Sequence, residues 1–287
     1  MSYKISATPR PPKRHSAPPL DTEISMPKKK NASLSKTNTP VANENPTLVL
    51  FKKYVCMSTH KRVFIYVIFL LIGSLLKDFE MVPTTYFSSK SNIFNLYFVK
   101  LGWLWTLLAS IPWIILTNSA RNSSTSKIAK HLMRALVATG LWYLFTSTFE
   151  YIDMKTGRCA DDEFTTKKLC KSKKHDWIES TDISGHTFIL MHSLFYLLEE
   201  IKAYFERQED VDSSKSLKPY IEINFIFISF LVILWEIMLL STFLYFHTLI
   251  HKLIAACVAI ACWYFTYKYF YLKKLSFILP VNVAKSS

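Results

Sequence analysis

The sequence predicts an all-α, polytopic membrane protein with six transmembrane helices and both termini in the cytosol. Half of its 287 residues are hydrophobic, 15% are aromatic and only 5 are glycine. The apolar residues form runs that are too long for a soluble core. A formal net charge of +14 is typical of such proteins when their cytosolic flanks are basic. No basic stripe interleaved with aromatic residues lies outside the runs, which argues against a nucleic-acid partner.

The chain divides into a membrane domain and two tails. Residues 1–58 are predicted to form a disordered cytosolic tail, because stretches such as PKKKNASLSKTNTP are too polar to bury a core. Residues 59–272 form the membrane domain, and residues 273–287 form a cytosolic C-terminal tail. Each predicted span meets the need for about 20 apolar residues. The six spans lie at about 60–79, 93–117, 131–150, 183–200, 220–246 and 249–272.

Basic residues orient the spans. They flank the first span, fill the second and fourth connections and follow the sixth span, which places these regions in the cytosol. The third connection, residues 151–182, then lies in the lumen, although it carries seven basic residues beside seven acidic ones. In an oxidising lumen, its Cys159 and Cys170 are predicted to form a disulfide. A zinc site that adds His175 is the alternative, but its spacing matches no familiar ligand pattern.

The stretch DISGHTFIL places polar groups at the lumenal start of the fourth span. Asp182 or Ser184 can cap the helix, and Gly185 lets a ligand approach the backbone. Free N–H groups and the helix dipole then suit a phosphate. His186 lies at the same lumenal depth as His247, so the two rings can divide the roles of nucleophile and acid. Asp182, four residues before His186, can orient that ring. Capping alone is the alternative explanation of this stretch.

Further polar residues lie in or near the spans. Four of them, near the lumenal start of the second span, can clamp anionic oxygens or serve only as interfacial and helix contacts: Lys90, Asn92, Asn95 and Lys100. Glu236 lies inside the fifth span, about 16 Å deeper than the end of that span by helical rise. It is either a proton or ion site or a hydrogen-bonded residue at a helix contact. No carboxylate cluster lies at the lumenal face of the spans, which predicts a site without a metal or other cofactor.

Several stretches of the chain resemble the fat storage-inducing transmembrane (FIT) family. They appear in family order from about residue 70 to residue 270: GSLLK, NLYFVKLGWLWT, LTN, LWYLFTSTF, TGRC, DISGHTFIL, LLEE and TFLYFHTLIHK. The resemblance implies six spans in the endoplasmic reticulum (ER) and a role in lipid droplet formation and ER lipid balance. It also implies cleavage of fatty acyl-CoA into acyl 4′-phosphopantetheine and adenosine 3′,5′-bisphosphate.

A distant relation of this family to lipid phosphate phosphatases implies a role for each histidine. His186 would be the general acid, and His247 would be the nucleophile. The first phosphatase motif is not visible, and His251 stands where the third motif has an aspartate. The resemblance therefore names neither a phosphate clamp nor a group that orients His247.

Two other functions stay open. Non-catalytic binding of diacylglycerol or triacylglycerol needs only an apolar cavity and no nucleophile. Proton-coupled transport would use Glu236, but the chain shows no inverted repeats and no pair of broken helices. Substitution of the two histidines separates an enzyme from a lipid-binding protein.

Overall fold

The computed structural model describes residues 45–121, 123–161, 163–178, 181–206 and 216–268. Within these ranges nearly all regular structure is helical. The α-helices are α1 (Pro46–Val55), α2 (Thr59–Asp78), α3 (Gly102–Ala120), α4 (Thr125–Thr156), α5 (Lys167–Ser172), α6 (Gly185–Phe205), α7 (Lys218–Tyr245) and α8 (Leu249–Trp263). A short 3-10 helix (Tyr86–Ser88) and a π-helix (Phe94–Val99) lie between α2 and α3. The predicted C-terminal tail and residues 1–44 of the predicted N-terminal tail lie outside the described residues.

Helix α1 corrects the predicted extent of the N-terminal tail, which was placed at residues 1–58. Asn45 caps the helix, because its side chain accepts a 3.0 Å hydrogen bond from the N–H of Thr47. Pro46 occupies the first turn, where its missing N–H has no cost. Val55 is fully buried in the core. Residues 46–55 therefore belong to the helical domain, and the polar stretch before them obscured this short helix.

Among the described residues, three helices are long and apolar enough to cross a membrane: Thr59–Asp78, Lys218–Tyr245 and the extended last helix Leu249–Lys268. They coincide with the predicted first, fifth and sixth spans. Helices α3, α4 and α6 occupy the places of the other three predicted spans. The predicted second span is interrupted, because the π-helix ends at Val99 and α3 begins only at Gly102.

Helix α6 lies at the centre of the bundle. It contacts α1, α2, α3, α4, α7 and α8. All its side chains from Thr187 to Leu198 are buried. His192 donates from Nε2 to the carbonyl oxygen of Ala138 at 3.0 Å and stacks on Phe188, so this histidine is a satisfied core residue. The neighbouring helices therefore shield α6 from whatever surrounds the bundle.

Gly73 allows α2 and α7 to approach each other closely. A β-carbon at this position would lie 3.1 Å from Cβ of Phe243. Small residues at helix contacts permit such packing. We expect Gly73→Leu to reduce the free energy of unfolding by about 1–3 kcal/mol through overpacking. Thermal unfolding in detergent measures this loss.

Gly140 provides the matched control for this substitution. A β-carbon at Gly140 would meet no atom within 4 Å. We therefore expect Gly140→Leu to leave the Tm close to that of the wild type. An equal fall in Tm for both variants would contradict the close contact between α2 and α7.

The connection between α4 and α6 folds into a small unit that leads to Asp182. Strands β1 (Arg158–Cys159) and β2 (Trp177–Ile178) pair in antiparallel register. A disulfide joins Cys159 to Cys170, with their Cα atoms 5.8 Å apart. This bond uses both thiols that the zinc alternative required. Across the described residues, no group of three or more His, Cys, Asp or Glu side chains could hold a metal ion.

Candidate active site

Two histidines meet where α6 begins and α7 ends, an end of the bundle that we call the histidine face. His186 is the second residue of α6 and is partly buried. His247 lies in the short turn between α7 and α8. His186 interacts electrostatically with His247. The fold therefore brings together the two rings that the sequence placed at one depth.

Asp182 pairs with His247. Its Oδ2 lies 2.7 Å from Nδ1 of His247. The prediction that Asp182 orients His186 used the spacing of four residues within a helix. That spacing does not apply, because Asp182 precedes Ser184, the N-cap residue of α6. The pair supplies the group orienting His247 that the resemblance left unidentified.

The contact with Asp182 also sets the tautomer of His247. A carboxylate beside Nδ1 accepts a hydrogen bond from the N–H at that nitrogen. In the neutral ring of this tautomer, Nε2 carries the lone pair.

The backbone of His247 is left-handed. Its φ is 49°, a region that residues other than glycine seldom occupy. Such strain persists only where the surrounding structure holds it, and it is common at functional sites. The following residue contributes one such contact, because the hydroxyl of Thr248 lies 3.0 Å from Nδ1 of His251.

The start of α6 forms an open helix N-terminus beside the histidines. The hydroxyl of Ser184 accepts a 3.2 Å hydrogen bond from the N–H of Thr187, which is the predicted cap. The N–H of Ser184 donates to the carbonyl oxygen of His251 at 3.3 Å and so ties α6 to α8. A β-carbon at Gly185 would meet no atom within 4 Å, so a ligand can approach the backbone there. Free N–H groups at such an end favour anions.

Two lysines add positive charge to this face. Lys90 and Lys100 are exposed, and both interact electrostatically with His186. Lys90 precedes the π-helix and Lys100 follows it, so the irregular segment between α2 and α3 carries both lysines. Binding of anionic oxygens by these two lysines stays a prediction.

Asn92 and Asn95 use their side chains within that same segment, and both are buried. Oδ1 of Asn92 accepts from the N–H of Asn95 at 2.8 Å. Nδ2 of Asn95 donates to the carbonyl oxygen of Lys90 at 2.7 Å. These bonds shape the backbone that carries the lysines, so the structure assigns the two asparagines to local hydrogen bonding.

Glu236 takes part in a second polar cluster, about 16 Å from His247 by helical rise. Its carboxylate forms an ion pair with Arg62 and accepts hydrogen bonds from Tyr54 and Tyr66. Burial, together with the neighbouring Glu236, raises the pKa of Tyr54. Of the two readings of Glu236, the structure shows the helix contact. Sequence reasoning missed Arg62, although a charge in the first span signals a need for a partner.

A cleft of about 350 Å³ lies beside this cluster, between α1, α2 and α7. Its walls are apolar, with Phe69, Ile237 and Leu240 among them, and its polar end is formed by Arg62 and Glu236. Nε of Arg62 is buried and has no hydrogen-bond partner. The cleft therefore combines an apolar channel with a polar end.

Comparison with known families identifies the architecture around these residues. The profile described as "Fat storage-inducing transmembrane protein" matches residues 83–218, which include Lys90, Asp182 and His186. A curated relative from Xenopus tropicalis is 37% identical over 226 residues, which cover 75% of this chain and 84% of the relative. The chain belongs to the fat storage-inducing transmembrane family. Its histidine face therefore lies in a FIT protein, and the profile match ends before His247.

Other FIT relatives agree in extent. A relative from Danio rerio is 35% identical, and the match covers 94% of its length and 80% of this chain. A relative from Homo sapiens is 34% identical, and the match covers 82% of its length and 74% of this chain. A relative from Drosophila melanogaster is 34% identical over 77% of this chain, and the match spans 60% of that longer protein. All four relatives carry the name acyl-coenzyme A diphosphatase FITM2. No solved structure matches the chain.

Proposed function

We propose that this FIT protein is an ER membrane hydrolase that cleaves the phosphoanhydride of fatty acyl-CoA. The products are acyl 4′-phosphopantetheine and adenosine 3′,5′-bisphosphate, and the activity supports lipid droplet formation and ER lipid homeostasis. Six helices cross the membrane with both termini in the cytosol, and the histidine face lies in the lumen. The observation that carries the proposal is the contact between Asp182 and His247 beside His186, in a family whose relatives are named for this reaction.

The first step of the reaction is attack by Nε2 of His247 on one phosphorus of the anhydride. A P–N bond forms and the P–O bond to the other phosphate breaks. His186 donates a proton to the departing phosphate oxygen. Asp182 stabilises the positive charge that develops on the ring of His247, because its carboxylate contacts Nδ1.

The second step regenerates the enzyme. His186, now neutral, accepts a proton from water as the water oxygen attacks the phosphorus. The P–N bond breaks, and His247 recovers its lone pair. Each turnover therefore consumes one water, and the proton lent by His186 returns to it.

Phosphoryl oxygens carry most of the negative charge in this reaction, so their stabilisation is the main task of the site. Lys90, Lys100 and the N–H groups at the start of α6 provide positive potential beside His186. The mechanism uses these groups and assigns no step to a metal ion or another cofactor. The acyl chain lies among the apolar helices, while the polar end of the substrate lies at the histidine face.

Product analysis with the purified wild-type protein tests the function. Oleoyl-CoA in detergent should yield equal amounts of acyl 4′-phosphopantetheine and adenosine 3′,5′-bisphosphate, with or without EDTA. Release of free CoA and oleate would instead show thioester hydrolysis and would contradict the proposal. Activity lost on chelation would overturn the metal-independent mechanism.

Asp182→Asn tests the orientation of the nucleophile. An amide can donate to Nδ1 and so favour the wrong tautomer of His247. We expect kcat to fall by about 100-fold or more, while KM changes little. Steady-state kinetics with oleoyl-CoA measure both constants. Asp161→Asn, which alters a partly exposed carboxylate paired with His175, is the matched control and should retain wild-type kcat.

A second function, binding of diacylglycerol or triacylglycerol, is favoured by the cleft between α1, α2 and α7. Its apolar walls suit acyl chains, and the polar end formed by Arg62 and Glu236 suits an ester or hydroxyl group. A photoreactive diacylglycerol should label the wild type and label Ile237→Trp less, because the larger side chain fills the cleft. Ile226→Trp, on the same helix but outside the cleft walls, is the control. Equal labelling of both variants would sink this second function.

A further inference from the structure

Lys252 is a buried cation in α8 that the proposed mechanism does not use. Its side chain is fully buried, and Nζ donates a 2.7 Å hydrogen bond to the carbonyl oxygen of Phe243. Phe243 lies in the last turn of α7, four residues before His247. A buried ammonium group is costly unless its partners compensate, so its position at this carbonyl calls for a physical reason.

The hydrogen bond from Lys252 completes the end of α7. The last carbonyl groups of a helix lack partners within the helix, and a cation there also meets the negative end of the dipole. Thr242 already accepts from the N–H of Phe246. The ammonium group of Lys252 supplies the donor for the next carbonyl, that of Phe243. This bond closes a loop of the chain that contains His247.

The loop is also tied to α6. The carbonyl oxygen of His251, adjacent to Lys252, accepts from the N–H of Ser184. Ser184 caps the helix that carries His186. Lys252 therefore connects the end of α7 with the segment that anchors the start of α6. The relative position of His186 and His247 depends on these two helix ends.

We propose that Lys252 is a positioning residue for His247. Its bond to Phe243 holds the turn in which His247 keeps its left-handed backbone and contacts Asp182. The inference rests on the proposed function, since positioning has meaning only for a reacting ring. Lys252 is fully buried, so it does not touch the substrate, and its loss should affect turnover and not binding.

Lys252→Met tests this role, because methionine fills similar space without a donor. Two quantities are measured in detergent: kcat with oleoyl-CoA, and the Kd and number of sites for an oleoyl-CoA analogue with a methylene bridge in place of the anhydride oxygen. We expect kcat to fall about 100-fold, the effect of a small misplacement of a reacting group. Kd should stay within about threefold of wild type, with about one site per chain.

Lys77→Met is the matched control. Lys77 is a partly exposed lysine at the end of α2, 3.7 Å from Asp78, and it interacts electrostatically with Lys252. Its substitution removes one positive charge close to Lys252 and leaves the hydrogen bond from Lys252 to Phe243 in place. We expect kcat within about twofold of wild type.

Several outcomes would overturn the inference. A kcat near the wild-type value in Lys252→Met would show that the turn holds without the lysine. Binding sites lost in proportion to kcat would show a purely structural role. Should Lys252→Met fail to fold, Lys252→Leu decides in its place: it is also apolar and has no donor, and wild-type kcat in that variant would refute positioning. A wild type that binds the analogue but yields no product would overturn the proposed function itself.

Discussion

His247→Ala is expected to lower kcat for oleoyl-CoA hydrolysis by at least about a thousandfold, because it removes the atom that, in the proposed mechanism, forms the bond to phosphorus. His186→Ala should lower kcat by about 100- to 10,000-fold, the range for loss of a general acid. Binding of the methylene-bridged analogue should persist in both variants. Steady-state kinetics and equilibrium binding on folded protein measure these effects.

His175→Ala is the control for both substitutions. This histidine lies in the connection between α4 and α6, where it is exposed and 3.6 Å from Asp161. Its loss should leave kcat unchanged. Undiminished turnover in His247→Ala would remove the nucleophile assignment, whereas a wild type without turnover would make lipid binding the leading function.

Glu236→Ala is expected to reduce the free energy of unfolding by about 3–5 kcal/mol, because it leaves Arg62 charged and buried. The side chain of Arg62 is only 1% exposed, and its Nε already has no partner. The change is measured by unfolding the protein in mild detergent, with heat or with a denaturing detergent.

The double variant Arg62→Met with Glu236→Met supplies the matched comparison. Replacing both charges with apolar side chains of similar volume should restore most of the stability, since no unpaired charge remains. Folded Glu236→Ala should also hydrolyse oleoyl-CoA within about threefold of wild type, because the cluster lies about 16 Å from His247. A folded variant without activity would point to a proton path through Glu236.

Much of the helical architecture could be predicted from the long apolar runs. In an apolar environment the backbone must satisfy its own hydrogen bonds, and a helix does so within one segment. Helices lie at the places of all six predicted spans, and among the described residues three of these helices are long and apolar enough to cross a membrane. The interruption between Val99 and Gly102 was not foreseeable, since the residues on both sides are equally apolar. Helix α1 was missed because its neighbours before Asn45 are polar and the helix itself is short.

The depth of the site residues in the membrane domain could be predicted, but the contacts between them could not. Topology alone placed His186 and His247 at one face, because the ends of consecutive spans alternate between the two sides. The partner of Asp182 was not predictable, since a local spacing rule competes with a contact between residues distant in sequence. Arg62 and Glu236 are 174 positions apart in the sequence. The only signal that they pair is that each is a charged residue in an apolar span, where an unpaired charge is costly.

The central position of α6 has a consequence for how the protein is made. The helix that begins at Gly185 is enclosed by α7 and α8, which leave the ribosome after it. Ser184 meets His251 only when the last helix has been synthesised. Until then, Ser184 lacks the hydrogen bond that ties the start of α6 to the last helix. Under the proposed function, a chain that ends before α8 should therefore lack a complete site and should not hydrolyse acyl-CoA.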